Sequence, residues 1–145
     1  MLNKIRNNKL LKYYGAENTF VINNNLFAIC KYEDQIDNYT LVGGFKIYNN
    51  KITQIAYLNF TIYPLTKTAE LSDIFIDEKY RHIGLGMMLI SLFEERCIYY
   101  GIKDIVGKLS SVDEDGNNEI ARNSFYVKNG YTIMNGKVYK TLLNN

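Results

Sequence analysis

Chemistry in this chain concentrates where a candidate strand, Glu70 to Ile76, passes through a basic glycine-containing turn into a long amphipathic stretch. The turn reads Arg81-His82-Ile83-Gly84-Leu85-Gly86. Beyond it, Leu85, Met88, Leu89, Leu92 and Phe93 fall at the i, i+3, i+4, i+7 spacing of a helix with one buried face. The first turn of a helix leaves backbone N–H groups without partners and carries the positive end of the helix dipole. Gly84 and Gly86 lack a Cβ, so an anion can approach the backbone, and Arg81 and His82 add side-chain donors. A phosphate or pyrophosphate is the ligand such a turn would take. An ordinary strand-to-helix turn, with glycine for geometry alone, is the other reading.

Two phosphate motifs do not fit. A P-loop needs Gly, four residues, then Gly-Lys-Ser/Thr, and the chain has no such string. A dinucleotide fingerprint needs a third small residue where Leu89 stands, and an acid near the end of the next strand, which reads Leu109-Ser110-Ser111. His82 is the sole histidine, so a histidine-based triad or a multi-histidine metal site is excluded. Cys30 and Cys97 form no CxxC or Cys/His cluster, and Cys97 falls near the buried face of the predicted helix as a reduced core thiol.

Arg81, Gly84 and Gly86, led in by Ile76-Asp77-Glu78-Lys79-Tyr80, are similar to the acyl-CoA motif of the GNAT acyltransferase superfamily. A second block, Arg122-Asn123-Ser124-Phe125-Tyr126-Val127-Lys128-Asn129-Gly130-Tyr131, resembles that family's Phe-Tyr, three residues, Gly-Phe/Tyr signature. The resemblance covers roughly residues 41 to 143. It implies an α+β fold with a mixed central sheet flanked by helices, and acetyl-CoA as acyl donor without a metal. In the family the pantetheine arm lies beside the central strand like a partial extra strand. That would use the backbones of Ile74 and Ile76, with the pyrophosphate on the amides of His82, Ile83, Gly84, Leu85, Gly86 and Met87. The resemblance also implies an asparagine for the arm, and Asn118 lies near, although it reads equally as a helix N-cap.

Transfer needs a neutral amine to attack the thioester carbonyl, a donor for the oxyanion and a proton for the departing thiolate. Tyr126 matches the tyrosine that supplies that proton in many relatives; the competing reading is a ring packed beside Phe125. Glu70 stands eleven residues before Arg81, where several relatives carry a catalytic glutamate, and reads otherwise as an exposed acid at a strand start. Strict alternation would put Glu70, Ser72, Ile74 and Ile76 on one face and Leu71, Asp73 and Phe75 on the other. Asp73, sharing a face with apolar neighbours, is expected to have a paired structural role. The loop Asp113-Glu114-Asp115-Gly116 could attract a cationic amine or be a solvated turn.

The elements that must hold these groups fit one domain of 145 residues. A net charge of +2 is too small to argue for nucleic acid or an anionic membrane as partner. Met1 to Leu11 lacks the apolar core of a signal peptide and no run reaches membrane-spanning length, so a cytoplasmic protein is expected. Leu2 to Tyr14 reads as a short basic helix. Thr19 to Ile22 and Leu26 to Tyr32 flank Asn23-Asn24-Asn25 as a hairpin, followed by a polar loop from Glu33 to Asn38. The family usually has two helices there, which help to build its acceptor pocket. Tyr39 to Tyr48 and Ile52 to Tyr63 read as strands around Asn49-Asn50-Lys51. After the long helix come a strand at Lys103 to Leu109, a helix from Asn118 or Glu119 to Asn129, and a hairpin around Asn135-Gly136. The expected activity is N-acetylation of a primary amine, small-molecule or peptide, by direct attack. A non-catalytic acyl-CoA-binding or protein-interaction module on the same scaffold is the alternative. An exposed sheet edge near the C-terminal hairpin could pair two subunits.

Overall fold

Tight asparagine turns organise both ends of the sheet. Asn23 and Asn24 both take positive φ, as do Asn135 and Gly136, which is the geometry of the two-residue turn whose twist matches paired strands. The computed structural model describes residues 9–15, 18–109 and 117–142. Its elements are α1 (Lys9–Tyr14), β1 (Thr19–Ile22), β2 (Asn25–Asp37), β3 (Thr40–Tyr48), β4 (Gln54–Tyr63), β5 (Thr68–Ile76), α2 (Leu85–Tyr99), β6 (Asp104–Lys108), α3 (Asn117–Lys128), β7 (Thr132–Met134) and β8 (Lys137–Thr141). The eight strands form one sheet in the order β1-β2-β3-β4-β5-β6-β8-β7. Every pairing is antiparallel except β5 with β6, whose parallel run requires α2 as the crossover.

The segment Glu33 to Asn38, expected as a loop, instead continues β2 as far as Asp37. Its charged residues form a strand because they pair with the apolar start of β3, Asp34 against Val42 and Gln35 against Leu41. Pairing decided that segment, not its composition.

Alpha2 packs on β4 and β5. Its buried residues are Leu85, Gly86, Leu89, Ile90, Phe93 and Cys97, so the buried stripe is rotated slightly from the one the spacing predicts and leaves Met88 and Leu92 half-buried. They meet Leu58, Phe60, Ile62, Ala69 and Leu71 in one hydrophobic cluster. Tyr126 on α3 belongs to the same cluster, so α2 and α3 share a face of the sheet. Leu10 and Ala28 are fully buried outside that cluster, and the Tyr14 ring stacks on Tyr48. Alpha1 therefore covers one end of the opposite face.

Strict alternation fails in β5, and the faces expected for Glu70 and Asp73 need correction. Phe60 pairs with Leu71 but Asn59 with Asp73, leaving Ser72 as an extra residue in a bulge. Past it the parity reverses: Leu71, Ile74 and Ile76 all face the helices, while Glu70, Asp73 and Phe75 face the other way. No described helix is long and apolar enough to cross a membrane.

Candidate active site

The parallel ladder between β5 and β6 is short. It runs from Thr68 against Asp104 to Leu71 against Gly107 and stops there. Beyond that point β6 stays with the C-terminal hairpin, Leu109 donating its N–H to the Gly136 carbonyl at 2.9 Å. Beta5, bulged at Ser72, continues beside β4. The two strands part, and a cleft of about 210 Å³ opens between them, lined by Leu71, Ser72, Asp73, Ile74, Lys108, Leu109 and Tyr126.

The open edge of β5 faces this gap. Asp77 donates its N–H to Ile55 at 2.8 Å, which continues the register of Ile76 against Ala56. Antiparallel alternation then directs the backbones of Asp73 and Phe75 toward β4 and those of Ile74 and Ile76 away from it, into the gap. At the far end, Arg81 Nε donates to the Ile76 carbonyl at 3.0 Å. Arg81 thus pins the turn to the strand, a role that the expected phosphate contact did not include.

The turn itself is held in unusual backbone. His82 has φ 68° and Gly84 φ 95°, two left-handed residues flanking Ile83, which packs on the core. Gly84 is the N-cap of α2, with no side-chain cap bond, and its carbonyl accepts the first helical hydrogen bond from Met88 at 3.1 Å. The amides of Leu85, Gly86 and Met87 precede that bond and have no acceptor within the helix. A Cβ on Gly84 would meet nothing within 4 Å, so the space beside the Gly84 Cα, at the N-cap, is open. Gly86 serves packing instead: a Cβ there would stand 2.7 Å from the Phe125 ring and 2.9 Å from Ile76 Cδ1.

Tyr126 enters the cleft from the helical face. It is 6% exposed, edge-on to Phe125 and to Tyr131 with centroids 5.4 and 5.8 Å apart. Its hydroxyl has no hydrogen-bond partner among the described residues, none of which leaves a buried side-chain polar atom unsatisfied. The hydroxyl therefore meets solvent in the cleft. Burial raises the phenol above its ordinary value; nearby Arg122 opposes the shift and Asp73 adds to it.

Ile74 and Tyr126 are thus brought to one cleft, and the Arg81–Met87 turn lies at the end of the same strand edge. Glu70 is not among the cleft's lining residues. It sits between Thr61 on β4 and Val106 on β6, inside the paired region. Asn118 falls in the first turn of α3, but its side chain lies outside the described residues, as does the Asp113-Glu114-Asp115-Gly116 loop. Asp73 does have the paired role expected, accepting a hydrogen bond from the Tyr57 hydroxyl at 2.9 Å, yet it also lines the cleft. Lys108 and Leu109 were not anticipated there. The only signal for them is their position at the end of the strand after α2.

Among the described residues no group of three or more His, Cys, Asp or Glu is placed to hold a metal.

The family model "Acetyltransferase (GNAT) family" matches residues 9–131. Among solved structures, an acetyltransferase of the GNAT family from Staphylococcus aureus Mu50 superposes with a TM-score of 0.59 at 18% identity, over 70% of this chain and 69% of that one. PaiA N-acetyltransferase from Thermoplasma acidophilum, solved in complex with coenzyme A, gives 0.56 at 21% identity, over 70% of this chain and 61% of its own. No curated protein matches. With a split sheet, an open amide turn and a family match spanning most of its length, the chain belongs to the acetyltransferase (GNAT) family.

Proposed function

We propose that the protein transfers an acetyl group from acetyl-CoA to a primary amine by direct attack. The observation that carries this reading is the convergence of three features on one strand edge. Among the described residues, no strand fills the gap that the backbones of Ile74 and Ile76 face, the amides of Leu85 to Met87, which have no acceptor within the helix, stand at its end, and the Tyr126 hydroxyl, without a hydrogen-bond partner, opens into it. The PaiA relative binds coenzyme A, a ligand with an anionic pyrophosphate and an amide-bearing arm, and both parts have complementary groups here.

Acetyl-CoA, when bound, supplies an acyl group activated as a thioester. The chain's own residues do the rest. Gly84 leaves room for the pyrophosphate at the N-cap of α2, whose amide dipoles and N–H groups favour negative charge. Ile74 and Ile76 offer backbone hydrogen bonds that fix the arm in register. Leu71 and Ile74 wall the cleft and limit water at the reacting carbonyl. Tyr126 holds a proton at its hydroxyl oxygen for the departing sulfur.

Calorimetric titration with acetyl-CoA tests the cofactor site, with Gly84→Arg as the comparison. The new side chain would project into the open space at the N-cap without meeting the fold, apart from left-handed strain of about 1–2 kcal/mol at that residue. Wild type is expected to bind, and the variant to lose affinity by at least about tenfold while remaining folded by circular dichroism. Absence of binding by the folded wild type would overturn the reading.

A further inference from the structure

We propose that Asp73 is the carboxylate that receives the acceptor amine, and that the acceptor carries an aromatic or apolar body that lies on the Tyr57–Phe75 stack. This rests on the acyltransferase reading above and adds the substrate class and the residue that selects it.

The sheet face opposite α2 and α3 carries ordered cross-strand rows. One is Cys30–Lys46–Tyr57–Phe75, the next Tyr32–Gly44–Asn59–Asp73, the third Asp34–Val42–Thr61–Glu70. Alpha1 reaches the end marked by Ala28 and Tyr48 and, through Tyr14, touches Cys30 at the edge of the first row, so among the described residues no helix covers the Tyr57–Phe75 end of that row or the rows beyond it. Asp73 is the first of their carboxylates beyond the last β5–β6 pair, Leu71 with Gly107, and the only one that lines the cleft. Tyr57 fixes it by donating to Oδ2, while Oδ1 has no partner among the described residues. Tyr57 also stacks on Phe75, centroids 5.6 Å apart at 29°, and Phe75 is 44% exposed. A fixed carboxylate beside an exposed aromatic shelf suits an ammonium group on an apolar body, by charge-assisted hydrogen bond and by ring contact.

The remaining charges direct the cation to the same place. Lys46 lies over the Tyr32 ring, 5.6 Å from its centroid, and Lys108 stands on the β6 bank of the cleft. Among the described residues that line the cleft, the acid that would meet a second cation favourably is Asp73 on the β5 bank. Tyr32 reaches the same row, its ring crossing Gly44 and its hydroxyl donating to Asn59 Oδ1 at 2.6 Å, and this bonding holds Asn59 beside Asp73. Asp73 and Tyr126 thus approach the cleft from opposite faces, one for the nucleophile and one for the leaving group. The ammonium passes a proton by way of the Asp73 carboxylate to solvent water. Its nitrogen lone pair then forms the C–N bond to the thioester carbonyl carbon, the nitrogen loses its second proton to solvent water as the C–S bond breaks, and the thiolate takes the Tyr126 proton, which solvent restores.

The test uses two probes of one shape. Phenethylamine is an ammonium at neutral pH, whereas the nucleophilic nitrogen of O-benzylhydroxylamine is uncharged. In calorimetry on the protein saturated with coenzyme A, Asp73→Asn is expected to weaken phenethylamine binding about tenfold, with Asp34→Asn, on the same face but away from the cleft, changing it less than about twofold. With acetyl-CoA as donor, Asp73→Asn should lower kcat/KM for phenethylamine at least about tenfold and that for O-benzylhydroxylamine less than about threefold. Affinity for acetyl-CoA itself should stay the same. An equal loss for both nucleophiles, a loss that appears in Glu70→Gln instead, or no binding of phenethylamine overturns this proposal while the cofactor reading stands. Failure of the wild type to bind acetyl-CoA overturns the acyltransferase reading itself.

Discussion

A phenol can give up a proton only while it still has one, and burial of Tyr126 raises its pKa in that direction. Any loss of rate from its ionisation therefore lies above the ordinary phenol value of about 10, so a pH profile of kcat should show no descending limb from this group below about pH 10. Tyr126→Phe should reduce kcat by roughly a hundredfold with little change in acetyl-CoA affinity, since the ring packing against Phe125 and Tyr131 is retained. A reduction under about threefold would remove Tyr126 from the proton-donor role. Among 13 tyrosines, residue type could not single this one out; its place in the Phe-Tyr block did. Asp73 had no comparable signal, because its approach to the cleft depends on a bulge and on where a distant strand ends.

Elements meet at connections whose strain is visible. The β3–β4 turn is built on Asn49, whose Oδ1 accepts the N–H groups of Lys51 and Thr53, each at 3.0 Å. Its Nδ2 donates to the Tyr80 hydroxyl at 3.1 Å, which ties this turn to the segment leading into the phosphate turn. Ile52, inside it, has φ 60°, a left-handed conformation that a β-branched residue adopts only with strain. Asparagine tolerates that region, so Ile52→Asn is expected to raise stability by about 0.5–1 kcal/mol, read as a higher urea midpoint at unchanged slope. A lower midpoint would mean that the half-buried Ile52 side chain contributes more than the strain costs. The Asn-Gly and Asn-Asn hairpins were legible because their residue types need nothing beyond the turn itself. Residues Glu33 to Asp37 were not, since their strand exists through pairing with β3.

At the scale of the molecule, one face of the sheet carries the core and its neutral acids. Burial pushes the Cys97 thiol from its ordinary 9.0 up to about 12, with Glu94 adding to the shift, and burial raises Tyr131 and Tyr126 as well. All three are raised, so folding favours their protonated forms. The stability this gives is complete below the unfolded thiol value and is lost as pH climbs through the folded one. Thermal denaturation should give a nearly constant Tm from neutrality to about pH 9 and a steep fall between about 9 and 12, with the onset in Cys97→Ala moved up toward the phenol range near 10. A Tm that holds steady to pH 12 would contradict this account. Across the same face, Glu94 on α2 takes the Lys140 ammonium at 2.8 Å and the Tyr131 hydroxyl at 3.0 Å, joining the crossover helix to the C-terminal hairpin. What the sequence determined by itself was local: helix and strand periodicity, the asparagine turns, the glycine-containing turn before α2, and two motif blocks in order. Each depends on residues a few positions apart, and backbone sterics and side-chain alternation act over that range. Only the tertiary structure decided that β6 leaves β5 after Leu71, that Ser72 bulges and reverses the faces, and that Asp73 rather than Glu70 borders the cleft. Those outcomes are set by register between strands distant in sequence, where the pairing of many backbone groups outweighs the preference of any one residue.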